Sequence, residues 1–216
     1  MGINFPAPTN KASYMKNTVD KMETGKEIPK DSSLEGLFLE ELKELYGAEK
    51  HQLLILPMLK KASSSLKLQN VLASHLDDTR QHILRLEGVF VTMGQVAEAR
   101  LSEAILGISR EGEIVIEATE KESATRDAGI IVAAQKLEHY EITGYGSLAQ
   151  HARTLEYDDI EEILELTLVE EKEADDLLTA LAENYINIEA AGEKTHEGPA
   201  DPRSSGERGR VSEANS

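Results

Sequence analysis

Four stretches of this sequence place carboxylates where an apolar residue would be expected, and one of them adds imidazole. Stepping by three and four residues from Phe38 gives Leu42, Leu45, Glu49, Gln52, Leu56 and Leu59. The same stepping gives Val71, His75, Asp78, His82, Arg85 and Val89, with Leu72, Thr79 and Leu86 alongside. A third series runs Ile131, Ala134, Glu138, Glu141, Tyr145, Leu148 and Ala152. A fourth runs Ile160, Leu164, Thr167, Glu171, Ala174, Leu178, Leu181 and Tyr185, with Asp175 at its flank. Alternating steps of three and four are how a helix in a bundle presents its core residues. The acids therefore fall inside the apolar stripes, near the middle of each.

A carboxylate buried without a partner is strongly destabilising. The lysines and arginines mostly lie off these stripes, so multivalent metal ions are the economical counter-charge. Carboxylate and imidazole without thiolate suit iron or manganese, with zinc a further occupant. The candidate ligands are Glu49, His75, Asp78, His82, Glu138, Glu141, Glu171 and Asp175. They are enough for two ions bridged by carboxylate in a bundle core. An internal match selects some of the same residues: with 76–82 laid over 169–175, Asp78 meets Glu171 and His82 meets Asp175. Next to the stripes, Asp77 and Glu170 are expected to be solvated or to support the ligands, and His139 to support them or to lie at an interface. Tyr140 and Tyr145 read as core or rim residues, and His51 and His151 as surface residues. No residue announces itself as a catalytic acid, base or nucleophile.

The elements that must position these groups are helical throughout. Ser32 followed by Glu35 reads as a capping box that opens a helix running to about residue 64, with a bend expected at Pro57. A second helix spans about 67–93 and is closed by Gly94. A shorter Ile- and Glu-rich segment covers about 102–119. Two more long helices cover about 123–154 and 158–189. Four long helices with one longer connection, between the second and third, predict an all-α four-helix bundle. Residues 1–31 contain Pro6, Pro8 and Pro29 and few large apolar groups, so they read as a flexible lead-in with a short helix over 14–22. The bundle then occupies 32–189. Residues 190–216, rich in glycine, serine and charge, read as a disordered tail.

Composition narrows the function classes. The 216 residues include 23 Lys+Arg against 40 Asp+Glu, a net charge of −17, with a pI near 4.8. Phosphate neutralisation needs clustered cations, so general nucleic-acid binding is disfavoured, as is attachment to an anionic membrane surface. Cysteine is absent, which removes disulfides, zinc–thiolate sites and a Cys nucleophile. With no tryptophan and 4% aromatic residues, the core must be largely aliphatic. No run approaches the roughly 20 apolar residues of a spanning helix, and the start lacks a signal-peptide pattern. A cytoplasmic protein is expected.

Several segments also resemble a known group. Leu45-Tyr46-Gly47-Ala48-Glu49-Lys50, Ser74-His75-Leu76-Asp77-Asp78-Thr79, Ala134-Gln135-Lys136-Leu137-Glu138-His139-Tyr140-Glu141-Ile142 and Glu170-Glu171-Lys172 are similar, in order and spacing, to the YciE/YciF-like ferritin-like proteins (DUF892). The similarity covers about residues 33–187. It implies a ferritin-like four-helix bundle with an additional short helix in the connection between the second and third long helices. It further implies a dinuclear metal site, a link to bacterial stress responses and a homodimer. Members typically carry Glu-Glu-Thr where this chain has Asp77-Asp78-Thr79, and Asp reaches one methylene less far. The Glu-x-x-His pattern common in ferritin-like proteins is absent from the second and fourth long helices. The function expected is binding of two iron or manganese ions, with ferroxidase or peroxide-removing chemistry. The alternative is a non-enzymatic structural or interaction bundle that metal only stabilises.

Overall fold

The computed structural model describes residues 33–193. The expected lead-in, with the helix expected over 14–22, and most of the expected tail lie outside the described residues. Helix α1 spans Leu34–Ala62, α2 Leu66–Thr92, α3 Glu103–Ala118, α4 Ala124–Thr154 and α5 Asp158–Leu181. A π-helical turn, Ala182–Ile186, then leads into the short α6, Asn187–Gly192.

Four of these helices start with the same device. Ser33, Ser65, Ser102 and Ser123 each accept a hydrogen bond from the backbone N–H three residues on, satisfying one of the donors a helix start leaves open. The expected cap Ser32 lies outside the described residues, and Ser33 takes that role. Helix α5 has no side-chain cap but carries Asp158, Asp159 and Glu161 in its first turn, where the helix dipole favours negative charge. Pro57 sits inside α1 on its exposed side.

The long helices pack in a ring: α1 on α2 and α4, and α5 on α2 and α4. Paired contacts run in opposite chain directions (Tyr46–Glu87 then Glu49–His82, Glu49–Tyr145 then Gln52–Glu141, Arg85–Thr167 then His82–Glu170, His139–Asp175 then Gln135–Thr179), so each neighbouring pair is antiparallel. Helices α2 and α4 thus share a direction, and the connection between them crosses the length of the bundle. This is the ferritin-like arrangement with one long crossover. Helix α3, within that connection, packs on α4 and α1. Residues 93–101 run beside α1, where the Arg100 N–H donates to the Lys43 carbonyl (3.0 Å) and the Arg100 guanidinium pairs with Glu40 and Glu44. Gly47 permits this approach, since a Cβ there would stand 2.1 Å from the Arg100 carbonyl oxygen.

Two buried clusters, largely aliphatic, fill the bundle. One gathers Leu56, Leu59, Leu68, Leu72, Ile105, Ile130, Leu137 and Leu178. The other gathers Phe38, Leu42, Leu45, Leu86, Phe90, Leu148, Ile160 and Leu164. The acids of α1, α4 and α5 and the histidines of α2 occupy the positions between them.

The stripes of α1 and α4 are buried as expected at every position. Helix α2 differs. Its buried series is Leu68, Leu72, His75, Thr79, His82, Leu86 and Val89. Thr79 takes the core position expected for Asp78, which faces solvent. Helix α5 keeps its stripe through Leu181. The π-helical turn then adds one residue to the repeat, so Ile186 is buried while Tyr185 is exposed. His51, expected at the surface, is buried because α3 covers that side of α1; its Nε2 lies 3.0 Å from Ser109 Oγ. Among the described residues no helix is long and apolar enough to cross a membrane.

Candidate metal centre

Each long helix contributes to one polar layer. Glu49 comes from α1, His75 and His82 from α2, Glu138 and Glu141 from α4, and Glu171 from α5. All six are buried, with Glu49, His82, Glu141 and Glu171 fully so. Helical spacing explains the pairs: His75 and His82 are two turns apart, and Glu138 and Glu141 one turn, so each pair shares a face.

The ligand atoms fall into two groups that share a residue. His75, Glu138, Glu141 and Glu171 offer atoms all within 4.8 Å of one another, and so do Glu49, His82 and Glu171. Glu171 belongs to both, through different oxygens. Its Oε1 lies 2.9 Å from His82 Nδ1, and its Oε2 lies 3.9 Å from His75 Nε2. His82 Nδ1 is also 3.2 Å from Glu49 Oε1, and His75 Nε2 is 3.2 Å from Glu138 Oε2.

Neighbouring side chains aim these groups. Tyr145 donates its hydroxyl to Glu49 Oε1 at 2.5 Å, and the Gln52 amide donates to Glu141 Oε2. Thr79 donates to the carbonyl of His75 (2.9 Å), keeping its hydroxyl satisfied within the core. Glu170 accepts from His82 Nε2 (2.9 Å) and is itself held by Arg85.

The electrostatics are unfavourable as they stand. Burial, with repulsion from Glu171, pushes the Glu49 carboxyl up to about 7 although His82 and Tyr145 draw it down. Burial and the neighbouring carboxylates push Glu138 and Glu141 well above the usual carboxylate range. Burial alone would raise Glu171 as well, but the facing His82 and His75 hold it below its ordinary value. For His82, burial opposes the charge, yet the Glu171 and Glu49 carboxylates outweigh it and raise the imidazole to about 10. His75, by contrast, is lowered by burial.

These residues could hold metal ions. Glu49 Oε2, His75 Nε2, His82 Nδ1, Glu138 Oε2, Glu141 Oε1 and both oxygens of Glu171 are buried without a hydrogen-bond partner of good geometry. Buried polar atoms are nearly always satisfied, and here the unsatisfied ones converge. Four carboxylates can balance two divalent ions while both imidazoles remain neutral, and oxygen–nitrogen donor sets suit iron, manganese or zinc.

Two of the expected ligands are not brought in. Asp78 is exposed because Thr79 holds the inward phase of α2. Asp175 is half-buried and faces sideways, accepting from Gln135 Nε2 (3.1 Å) and lying 3.2 Å from His139 Nε2. His139 itself is exposed. The supporting roles of Gln52, Tyr145 and Arg85 were not assigned from the sequence, although all three lie in the stripes.

An all-α, ferritin-like bundle with a carboxylate–histidine cluster at its centre is the class defined by this fold and site. Residues 33–191 match the family described as a domain of unknown function, DUF892, and the chain belongs to that family. The protein YciF of Escherichia coli (strain K12) is 40% identical over 159 residues, covering 73% of this chain and 95% of that protein. The crystal structure of the E. coli stress protein YciF superposes with a TM-score of 0.69 at 39% identity, covering 72% of this chain and 98% of that one. YcfI from Rhodopseudomonas palustris gives a TM-score of 0.68 at 34% identity, covering 70% and 96%.

Proposed function

We propose that this chain is a dinuclear metal-binding protein that takes up two iron or manganese ions in the polar layer. Glu49, His82 and Glu171 would hold one ion, and His75, Glu138, Glu141 and Glu171 the other, Glu171 contributing to both groups. The observation that carries this reading is the convergence of unpartnered buried donors from four helices. Two adjacent ferrous ions, when bound, supply electrons for reaction with dioxygen or peroxide, which would make the activity ferroxidase-like or peroxide-removing. The protein's part is geometry and dryness: apolar clusters lie on both sides of the layer and limit access of water. The kinship with a stress protein supports a role for this chemistry in a bacterial stress response. A cytoplasmic homodimer completes the reading, and light scattering tests the dimer.

Elemental analysis of protein purified without chelator tests the core of the proposal, with two equivalents of metal per chain expected. Addition of ferrous ion under air, followed by absorbance, then separates turnover from static binding. If metal binds without turnover and raises thermal stability, the bundle is structural and the metal only neutralises its inward acids.

A further inference from the structure

His82 is fully buried, and its two ring nitrogens face different surroundings. Nδ1 points into the layer, toward Glu49 Oε1 and Glu171 Oε1. Nε2 points outward to Glu170 Oε2 at 2.9 Å. That carboxylate is clamped in turn: Arg85 donates to both of its oxygens and also donates from Nη1 to Thr167 Oγ1 at 3.1 Å. Held by this bidentate pair, the Glu170 carboxylate presents only acceptor oxygens to His82. Among the described residues, no carboxylate anchors His75 from outside the layer: its ion-pair contacts, to Glu138 and Glu171, both run through Nε2.

We infer that Glu170, fixed by Arg85, is a positioning residue that keeps the proton of neutral His82 on Nε2 and leaves the Nδ1 lone pair directed at an ion shared with Glu49 and Glu171. A neutral imidazole carries one proton, and a carboxylate acceptor on one nitrogen decides where it resides. A ligating histidine anchored this way is better oriented and more basic than one left free. The two halves of the centre are therefore unequal: the histidine of the Glu49–His82–Glu171 half is anchored from outside the layer, and that of the His75–Glu138–Glu141 half is not. The first ion enters the anchored half. This inference rests on the metal-binding reading above.

The test uses full-length protein carrying 15N-labelled histidine, with Zn2+ as a diamagnetic probe and Mn2+ for titration. With Zn2+ bound, the His82 Nε2–H proton signal of wild type is expected downfield and slow to exchange; in Glu170→Ala it should be lost. With Zn2+ bound, Nδ1 is expected to be the metallated nitrogen. Mn2+ titration of wild type should resolve a tighter and a weaker equivalent. Glu170→Ala and Arg85→Met should weaken the tighter one by about 10–100-fold, leaving the weaker nearly unchanged. Glu170→Gln keeps an acceptor oxygen and should recover most of the loss. An unchanged Nε2–H signal in Glu170→Ala, metallation at Nε2, or equal loss at both equivalents would overturn the inference. Failure of wild type to bind either metal would instead remove the dinuclear reading, and that result is distinct from a variant that binds normally.

Discussion

Glu171 Oε1 lies 2.9 Å from His82 Nδ1 while the other oxygen of the same carboxylate is turned toward His75. One side chain on α5 thus spans both imidazoles of α2 and belongs to both candidate ligand groups. No other acid in the layer does this. Glu171→Ala is therefore expected to lower the metal content from two equivalents to less than one, whereas Glu49→Ala should retain one. Inductively coupled plasma analysis of both variants, purified side by side, decides this.

The same layer predicts that removing an acid stabilises the empty protein. Glu138 and Glu141 are buried among like charges and held well above the ordinary carboxylate range by burial and repulsion. Glu138→Gln keeps the shape and removes one ionisable group. In chelator-treated protein it should raise stability by about 1 kcal/mol or more. With saturating metal the order should reverse, because the variant has lost a ligand. Urea unfolding with and without metal reads both signs.

Much of this layer was legible from spacing alone. On α1 and α4 the three-and-four stepping selected Glu49, Gln52, Glu138, Glu141 and Tyr145, and all are buried. On α2 the stepping was ambiguous: Asp78 and Thr79 both satisfy the spacing from His75, and only packing against α5 decides between them. Burying Thr79 costs little because its hydroxyl bonds back to the His75 carbonyl, while Asp78 would add a further unpaired negative charge. Glu170 was legible as a neighbour of the site, but its partners lie on α2, and no local pattern shows a contact between helices. Tyr185 followed the regular repeat until the π-helical turn shifted it outward.

Protonation gives a prediction for the metal-free protein. A Glu49 carboxyl raised from 4.5 to about 7 means the folded state keeps a proton that the unfolded chain releases, so stability falls as pH rises through that window. His82, raised from 6.5 to about 10, stabilises fully below about 6.5 and loses that contribution as pH rises toward 10. Glu171, held low, acts in the opposite sense, but only below about 4.5. Chelator-treated protein should therefore melt at a lower temperature at pH 9 than at pH 6. Metal competes with protons for these ligands, so the gain in melting temperature on adding Mn2+ should grow over the same range. Calorimetry at several pH values measures both trends.

Gly47 tests the close approach of the crossover to α1. An alanine there would set its Cβ against the Arg100 backbone carbonyl, where no rotamer change relieves the clash. Alanine ordinarily favours a helix over glycine by about 1 kcal/mol. Here the overpacking should dominate, and Gly47→Ala is expected to destabilise by about 1–3 kcal/mol. Denaturant titration gives the sign directly; a stabilised variant would mean the 93–101 segment does not lie against α1 in solution.

Asp78 and Asp175 separate ligands from bystanders. Both are acids adjoining the layer, and both satisfy the helical spacing from a neighbouring ligand. Asp78 faces solvent, and Asp175 is engaged by Gln135 and His139 on the outside of α4. Asp78→Ala and Asp175→Ala should each keep two metal equivalents, with Mn2+ affinity within about threefold of wild type if neither acid reaches an ion, since a ligand or its direct support costs about tenfold or more. Glu141→Ala, measured alongside, should lose at least one equivalent. If Asp78→Ala behaved like Glu141→Ala, α2 would have to rotate on loading by about 100° to exchange Thr79 for Asp78, and His75 and His82 would be carried off the layer with it.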